Sequence, residues 1–185
     1  MEINKESLID VLDENGIRTG EVLTRKKVHE KGKYHRAVHL YLLDQSKQLL
    51  LQKRSNYVDH CPGMFSISLT GHVDAGESSY AALRREIHEE LGFNSKELEI
   101  ELMFCFKQNI KINSFYLDNQ FNDVYFCVHK FDIKEINFSQ DITELRLVSL
   151  NEFESLIAEE KTDFSKIYAQ EGQDLLYFLR SRIAI

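Results

Sequence analysis

The stretch from Gly71 to Phe93, GHVDAGESSYAALRREIHEELGF, constrains this chain more than any other. Its apolar spacing predicts a helix from about Ser78 to Leu91. Ser78 or Ser79 can cap the first turn, and Gly92 stands where a left-handed C-terminal cap belongs. Leu83, Ile87 and Leu91 recur every four residues and form a stripe that must meet a core. Glu86 and Glu90 are also four apart, and Glu89 lies between them, so the last two turns crowd carboxylates on one side. Like charges at this spacing repel, and the negative end of the helix dipole adds to the strain. A cation has to compensate. Hard divalent ions such as Mg²⁺ or Mn²⁺ suit clustered carboxylates. On charge pattern alone, an acidic surface helix paired with arginines from elsewhere fits as well.

The full spacing separates these two. It reads Gly71, five residues, Glu77, seven residues, Arg85-Glu86-Ile87, one residue, Glu89-Glu90, one residue, Gly92-Phe93. This resembles the signature of the Nudix hydrolases at every defined position. The resemblance implies a loop–helix–loop that binds a divalent metal and cleaves nucleoside diphosphates linked to another moiety, or related diphosphates. By matching position it makes Glu86, Glu89 and Glu90 metal ligands, with the Gly71 carbonyl as a further one. It has Glu77 and Arg85 pair to brace the loop on the helix.

Composition narrows the setting. The chain has 185 residues and 43% apolar content, enough for one domain with its own core. A net charge of −7 argues against nonspecific nucleic-acid binding and against a polybasic membrane contact. Cys61, Cys105 and Cys127 lack CxxC spacing and read as small core residues of a cytoplasmic protein without a zinc site. The N-terminus carries acids and no apolar run, so no signal peptide is expected. No segment is long and apolar enough to span a membrane.

Along the chain, residues 1–24 read as a small hairpin, with Leu8–Leu12 and Ile17–Leu23 turned at Asp13-Glu14-Asn15-Gly16, followed by a helical turn from Arg25 to Glu30 capped by Thr24. Strands are expected at 35–43, 48–54, 65–73, 98–108, 121–131 and 145–150, with helices at 151–160, capped by Asn151, and at 174–182. The expectation is one α/β domain over residues 1–185, a central mixed sheet between helical layers of Nudix type. Residues 1–30 form its N-terminal hairpin and turn, and about 161–185 a C-terminal helical extension.

The resemblance extends outside this signature. HRAVHLYLLD, LLLQKRS, PGMF and ISLTGHVDAGE resemble the isopentenyl-diphosphate isomerase-like branch of the Nudix superfamily. The true isomerases place a cysteine directly before the glycine–histidine pair and carry a degenerate signature. Here Thr70 precedes Gly71-His72, and the signature is intact. Histidines among the isomerase metal ligands match His35 and His72, with His29 approximate. His72, His35 and Arg36 are candidate substrate contacts, as is Arg54, which can hold a phosphate bidentately. For His29, His35 and His39 a structural role competes. Phe65 stands where the branch usually has tryptophan, and reads as core. Glu144 is a candidate additional carboxylate from a polar loop before the strand at 145–150.

The sequence thus points to a Mg²⁺- or Mn²⁺-dependent pyrophosphohydrolase acting on a small-molecule diphosphate. Glu89 or Glu90, or a loop glutamate such as Glu144, serves as base, and Glu77 and Arg85 assist. An isomerase and a noncatalytic nucleotide-sensing module are the alternatives. A homodimer is an assembly that the sequence leaves open.

Overall fold

In a computed structural model, residues 7–58, 61–159 and 163–182 are described, with Asp163 and Arg182 described by their backbone alone. The expected hairpin is β1 (Leu8–Leu12) against β2 (Arg18–Thr24). The Asp13 carboxylate accepts the Asn15 and Ile17 amides at 2.9 Å, which closes the turn. The part of that hairpin before Ser7 lies outside the described residues. Thr24 caps α1 (Arg25–Glu30), as its position before an exposed basic turn predicts.

The main sheet holds β3 (His35–Leu43), β4 (Leu49–Arg54), β5 (Phe65–Ser66), β6 (Leu69–His72), β7 (Ile100–Lys111), β8 (Leu117–Val128) and β9 (Ile142–Val148). Its order is β5-β4-β3-β8-β7, with β6 on β3 and β9 on β4. β3 and β8 run parallel and their other neighbours antiparallel, so the sheet is mixed. Alternation divides β3. Val38, Leu40 and Leu42 face one layer, where Leu83, Ile87 and Leu91 of α2 (Ser79–Leu91) pack on them. Tyr41 and Leu43 face the other layer, α3 (Leu150–Ala158) and α4 (Asp163–Arg182). This is the α/β/α sandwich that the sequence predicts.

Several boundaries differ from the expected ones. The strand at 65–73 is two pieces, β5 and β6, because β5 follows β4 while β6 follows β3. β3 and β4 meet only at Leu43 opposite Leu49, and a cavity opens where they part. Ser149, not Asn151, caps α3, its hydroxyl accepting the Glu152 amide at 3.1 Å. α4 begins eleven residues before the expected Asp174 (174 − 163). Phe164, Ile167, Tyr168 and Leu175 continue its apolar stripe, which the charged Glu171 and the helix-weakening Gly172 interrupt in sequence. Both have structural reasons. Glu171 is buried as a hydrogen-bond hub, and a Cβ on Gly172 would lie 3.0 Å from the Phe153 ring, where α3 and α4 cross closely. Residues 160–162 and 183–185 of the expected C-terminal segment lie outside the described residues.

Candidate functional site

The loop before α2 is held before the helix starts. The Ala75 amide donates to the Leu8 carbonyl at 2.7 Å, the Gly76 amide to Asp10 at 2.9 Å, and Arg18 to the Glu77 carbonyl at 2.8 Å. The hairpin is thus a brace for this loop. Ser78 caps α2 through the Ala81 amide at 3.2 Å, while Ser79 bonds the Tyr125 hydroxyl. Gly92 ends the helix at φ 68°, where a side chain would be strained.

Arg85 gathers the loop and helix. Its Nε and Nη2 bond the two Glu77 oxygens at 3.2 and 2.9 Å, and its Nη2 bonds the His72 carbonyl at 3.1 Å. Its Nη1 reaches Glu86 at 2.7 Å and Glu89 at 3.2 Å. Burial opposes the guanidinium charge, and Glu77 and Glu86 more than offset it, so the group is held charged. Burial raises the Glu86 carboxyl above its ordinary range. Glu90 is pushed up to about 7, first by burial and then by Glu86, against the Gln52 amide that donates to it at 3.1 Å. One guanidinium therefore leaves the cluster short of positive charge.

Gly71 faces Glu86 so closely that a Cβ there would stand 2.4 Å from the Glu86 Cγ. Its φ is not in the left-handed region, so the need for glycine is one of space. Gly71→Ala is expected to displace Glu86 while the backbone holds. Activity should fall on the order of 10²-fold, the size of effect that small misplacements near a reacting centre produce. Steady-state kinetics beside a melting curve checks this. An unchanged kcat would mean that the Glu86 position is not needed.

These residues stand at one end of a cavity of about 790 Å³. Gly71, His72, Arg85, Glu86, Glu89, Glu90 and Arg54 all line it. Arg36 does not, because it is spent on Asp123 at 2.6 Å and faces a smaller recess near the hairpin. Glu144 does not line it either. It lies inside β9 rather than in a loop, opposite Lys53, whose Nζ is 3.6 Å away. The cavity carboxylate from that region is Asp141.

His35 is fully buried rather than cavity-lining. It stacks on His72 with ring centroids 5.3 Å apart, and His29 joins them with its Nε2 3.0 Å from the His72 Nε2. One ligand atom from each of the three lies within 4.8 Å of the others, a spacing that can hold a metal ion. Burial lowers His35 to about 4, keeping its imidazole neutral. The partner carboxylate, Asp118, stands 3.5 Å from His29 and is raised to about 6 by burial.

Other cavity residues were not singled out by sequence: Arg25, Gln52, Gln108, Tyr116, Asp118 and Gln120. Asp118 and Gln120 alternate inward on β8, which was expected to begin only at Phe121, so the polar start of the strand was hidden. Phe65 packs against the core layer of α3 and α4, as expected, and also lines the cavity. Of the cysteines, only Cys127 is buried. Cys105 is exposed, and Cys61, in the loop between β4 and β5, lines the same cavity as Thr70.

The mixed sheet between helical layers, with the Gly71–Phe93 loop and helix at its cavity, is a Nudix fold. Solved structures agree. DR0079 from Deinococcus radiodurans superposes with a TM-score of 0.73 at 21% identity, over 90% of this chain and 97% of that one. The MutT protein of Methanosarcina mazei gives 0.59 at 18%, over 81% and 96%. The NUDIX domain model matches residues 33–170, and the chain belongs to that family. Among sequence relatives, Nudix hydrolase 3 of Arabidopsis thaliana is 34% identical over 84% of this chain, which spans only 21% of that protein's length. An isopentenyl-diphosphate Delta-isomerase of Pectobacterium atrosepticum is 31% identical over 69% of this chain and 68% of its own. No helix among the described residues is long and apolar enough to cross a membrane.

Proposed function

We propose that this chain is a metal-dependent hydrolase that cleaves the diphosphate linkage of a nucleoside diphosphate derivative or a related small molecule. The observation that carries the reading is the pair Glu86 and Glu90, both partly buried and both raised by desolvation, of which Arg85 bonds Glu86 while Glu90 is met by the neutral Gln52 amide. Such a donor set fits a divalent cation such as Mg²⁺ or Mn²⁺, held by Glu86, Glu89, Glu90 and the Gly71 carbonyl. When bound, the ion neutralises the diphosphate and lowers the pKa of water. Glu89 or Glu90 takes the proton of the attacking water, a contribution of about 10²–10⁴-fold. Arg85, bridged to Glu77, fixes the carboxylates. Arg54 and Arg25 line the same cavity and offer positive charge to the phosphates. Three cysteine thiols suit a reducing compartment such as the cytoplasm.

An isomerase is the second reading, favoured by the His29–His35–His72 cluster and by the isomerase relatives. Cys61 adds to it, because the loop that holds Cys61 folds back to the cavity instead of carrying the thiol away. Against it stands Thr70, whose hydroxyl has no accessible anionic state near neutral pH, unlike a thiol that titrates near ~8.5. A panel of diphosphates with Mg²⁺ or Mn²⁺, read as released phosphate with and without added phosphatase, tests the hydrolase. Isopentenyl diphosphate belongs in the panel. Its efficient conversion to the dimethylallyl isomer, with no hydrolysis of any compound, would replace the first reading by the second.

A further inference from the structure

Beyond the glutamates, the cavity floor is polar where a sheet face against a helix is normally apolar. On β3 the row on this face is His35, Ala37, His39 and Tyr41, and on the parallel β8 it is Gln120, Asn122 and Val124; Ala37, His39 and Gln120 line the cavity and the others lie buried beside them. Hydrogen bonds join this floor into one chain. Gln120 donates to Asp118 at 2.7 Å, Gln108 to Asp118 at 3.1 Å, and Asn122 to Gln108 at 3.2 Å and to Glu171 at 3.2 Å.

The chain ends at Glu171 of α4, a fully buried carboxylate. Its oxygens accept the Tyr41 hydroxyl at 2.8 Å and lie 2.8 and 3.0 Å from the His39 Nδ1. In a neutral imidazole, a carboxylate on Nδ1 places the proton there and leaves Nε2 as the acceptor. The His39 ring lines the cavity, and its Nε2 has no hydrogen-bond partner among the described residues. His39 also sits directly opposite Thr70 in the β3–β6 register, one residue from Gly71 and the α2 carboxylates. The nearby Ser66 and Tyr168 hydroxyls, 2.7 Å apart, line the same wall.

We infer that His39, anchored by the buried Glu171, is a specificity-determining residue whose Nε2 accepts a hydrogen bond from an O–H or N–H of the group attached to the diphosphate. The inference rests on the diphosphate reading and narrows it. The substrate carries a hydroxylated or heterocyclic group on this floor, because a hydrocarbon chain would bury the imidazole acceptor without a donor. Glu171 is a positioning residue. It never meets the ligand, but it fixes which nitrogen carries the proton and how the ring points.

ADP and geranyl diphosphate test this, since both are diphosphate monoesters of like charge and differ in hydrogen-bonding groups. Calorimetry with Ca²⁺ in place of Mg²⁺ limits turnover, and inorganic pyrophosphate reports the diphosphate end alone. The wild-type protein is expected to bind ADP at least about tenfold tighter than geranyl diphosphate. His39→Leu and Glu171→Leu should remove most of that preference while pyrophosphate affinity holds. Glu171→Gln, which keeps an acceptor for Nδ1, should retain most of it. Equal wild-type affinity for the two monoesters would overturn the inference even if no variant folds. Full preference in a folded His39→Leu would overturn it too. Failure of pyrophosphate to bind the wild-type protein would instead overturn the diphosphate reading, and this one with it.

Discussion

Glu90→Gln is expected to lower kcat by about 10²–10⁴-fold, the range for losing a carboxylate that handles a proton, and to weaken Mg²⁺ or Mn²⁺ binding in calorimetry. The shape is nearly unchanged, and the glutamine carbonyl can still accept from Gln52, which donates to Glu90 at 3.1 Å. The fold should therefore survive, and in the metal-free protein it should gain stability. Burial and Glu86 raise the Glu90 carboxyl from an ordinary 4.5 to about 7, so the folded state holds this proton more tightly than the unfolded chain. Its contribution to stability is complete below about 4.5 and is lost as pH rises through about 7. Wild type and Glu90→Gln should thus melt close together near the lower value. The variant should melt increasingly higher as pH approaches the upper one, and the gap should stay constant beyond. Mg²⁺ should close the gap by stabilising only the wild-type protein. A variant with full activity and unaltered metal binding would remove Glu90 from the chemistry.

The parts of the site carried by short-range rules were legible in the sequence. Helical spacing alone puts Leu83, Ile87 and Leu91 on the core side of α2 and the glutamates on another. The sandwich followed from strand patterns joined to the family resemblance, and the strand order was not readable from pattern alone. What escaped were residues whose meaning depends on which strands meet. His39 looked structural because nothing in its own segment reveals Glu171, 132 positions away. Glu171 and Gly172 broke the apolar stripe of α4, so the helix that supplies this carboxylate was read as half its length. Arg36 and Glu144 stay outside the cavity for the converse reason. Each has a charged residue across the sheet, Asp123 and Lys53, that no local pattern announces. Cys61 read as a small core residue, because nothing in its own segment shows that the loop returns to the cavity.

Arg85→Gln is expected to act on stability and activity together, and by more than any single contact implies. The guanidinium bonds Glu77 through two nitrogens, Glu86 and Glu89 through a third, and the carbonyl of His72. Its removal leaves the Glu77, Glu86 and Glu89 carboxylates near one another without their cation. The Arg85 side chain is 29% exposed, so solvent screens part of that repulsion. We expect a loss of about 1–3 kcal/mol in denaturant titrations rather than the larger penalty of a fully buried pair. The activity loss should be about 10²-fold or more, because the loop and the helix carboxylates lose their common reference point. Arg85→Lys should recover little, since an ammonium cannot span Glu77 bidentately and still reach Glu86. Glu77→Gln combined with Arg85→Gln separates the bridge from its neighbours. If the two residues act as one brace, the double variant is scarcely worse than Arg85→Gln, with a coupling of about 0.5–3 kcal/mol. Additive losses in kcat/KM would instead show that Glu77 holds the loop through the Asp74 amide that donates to it at 3.2 Å, independently of Arg85.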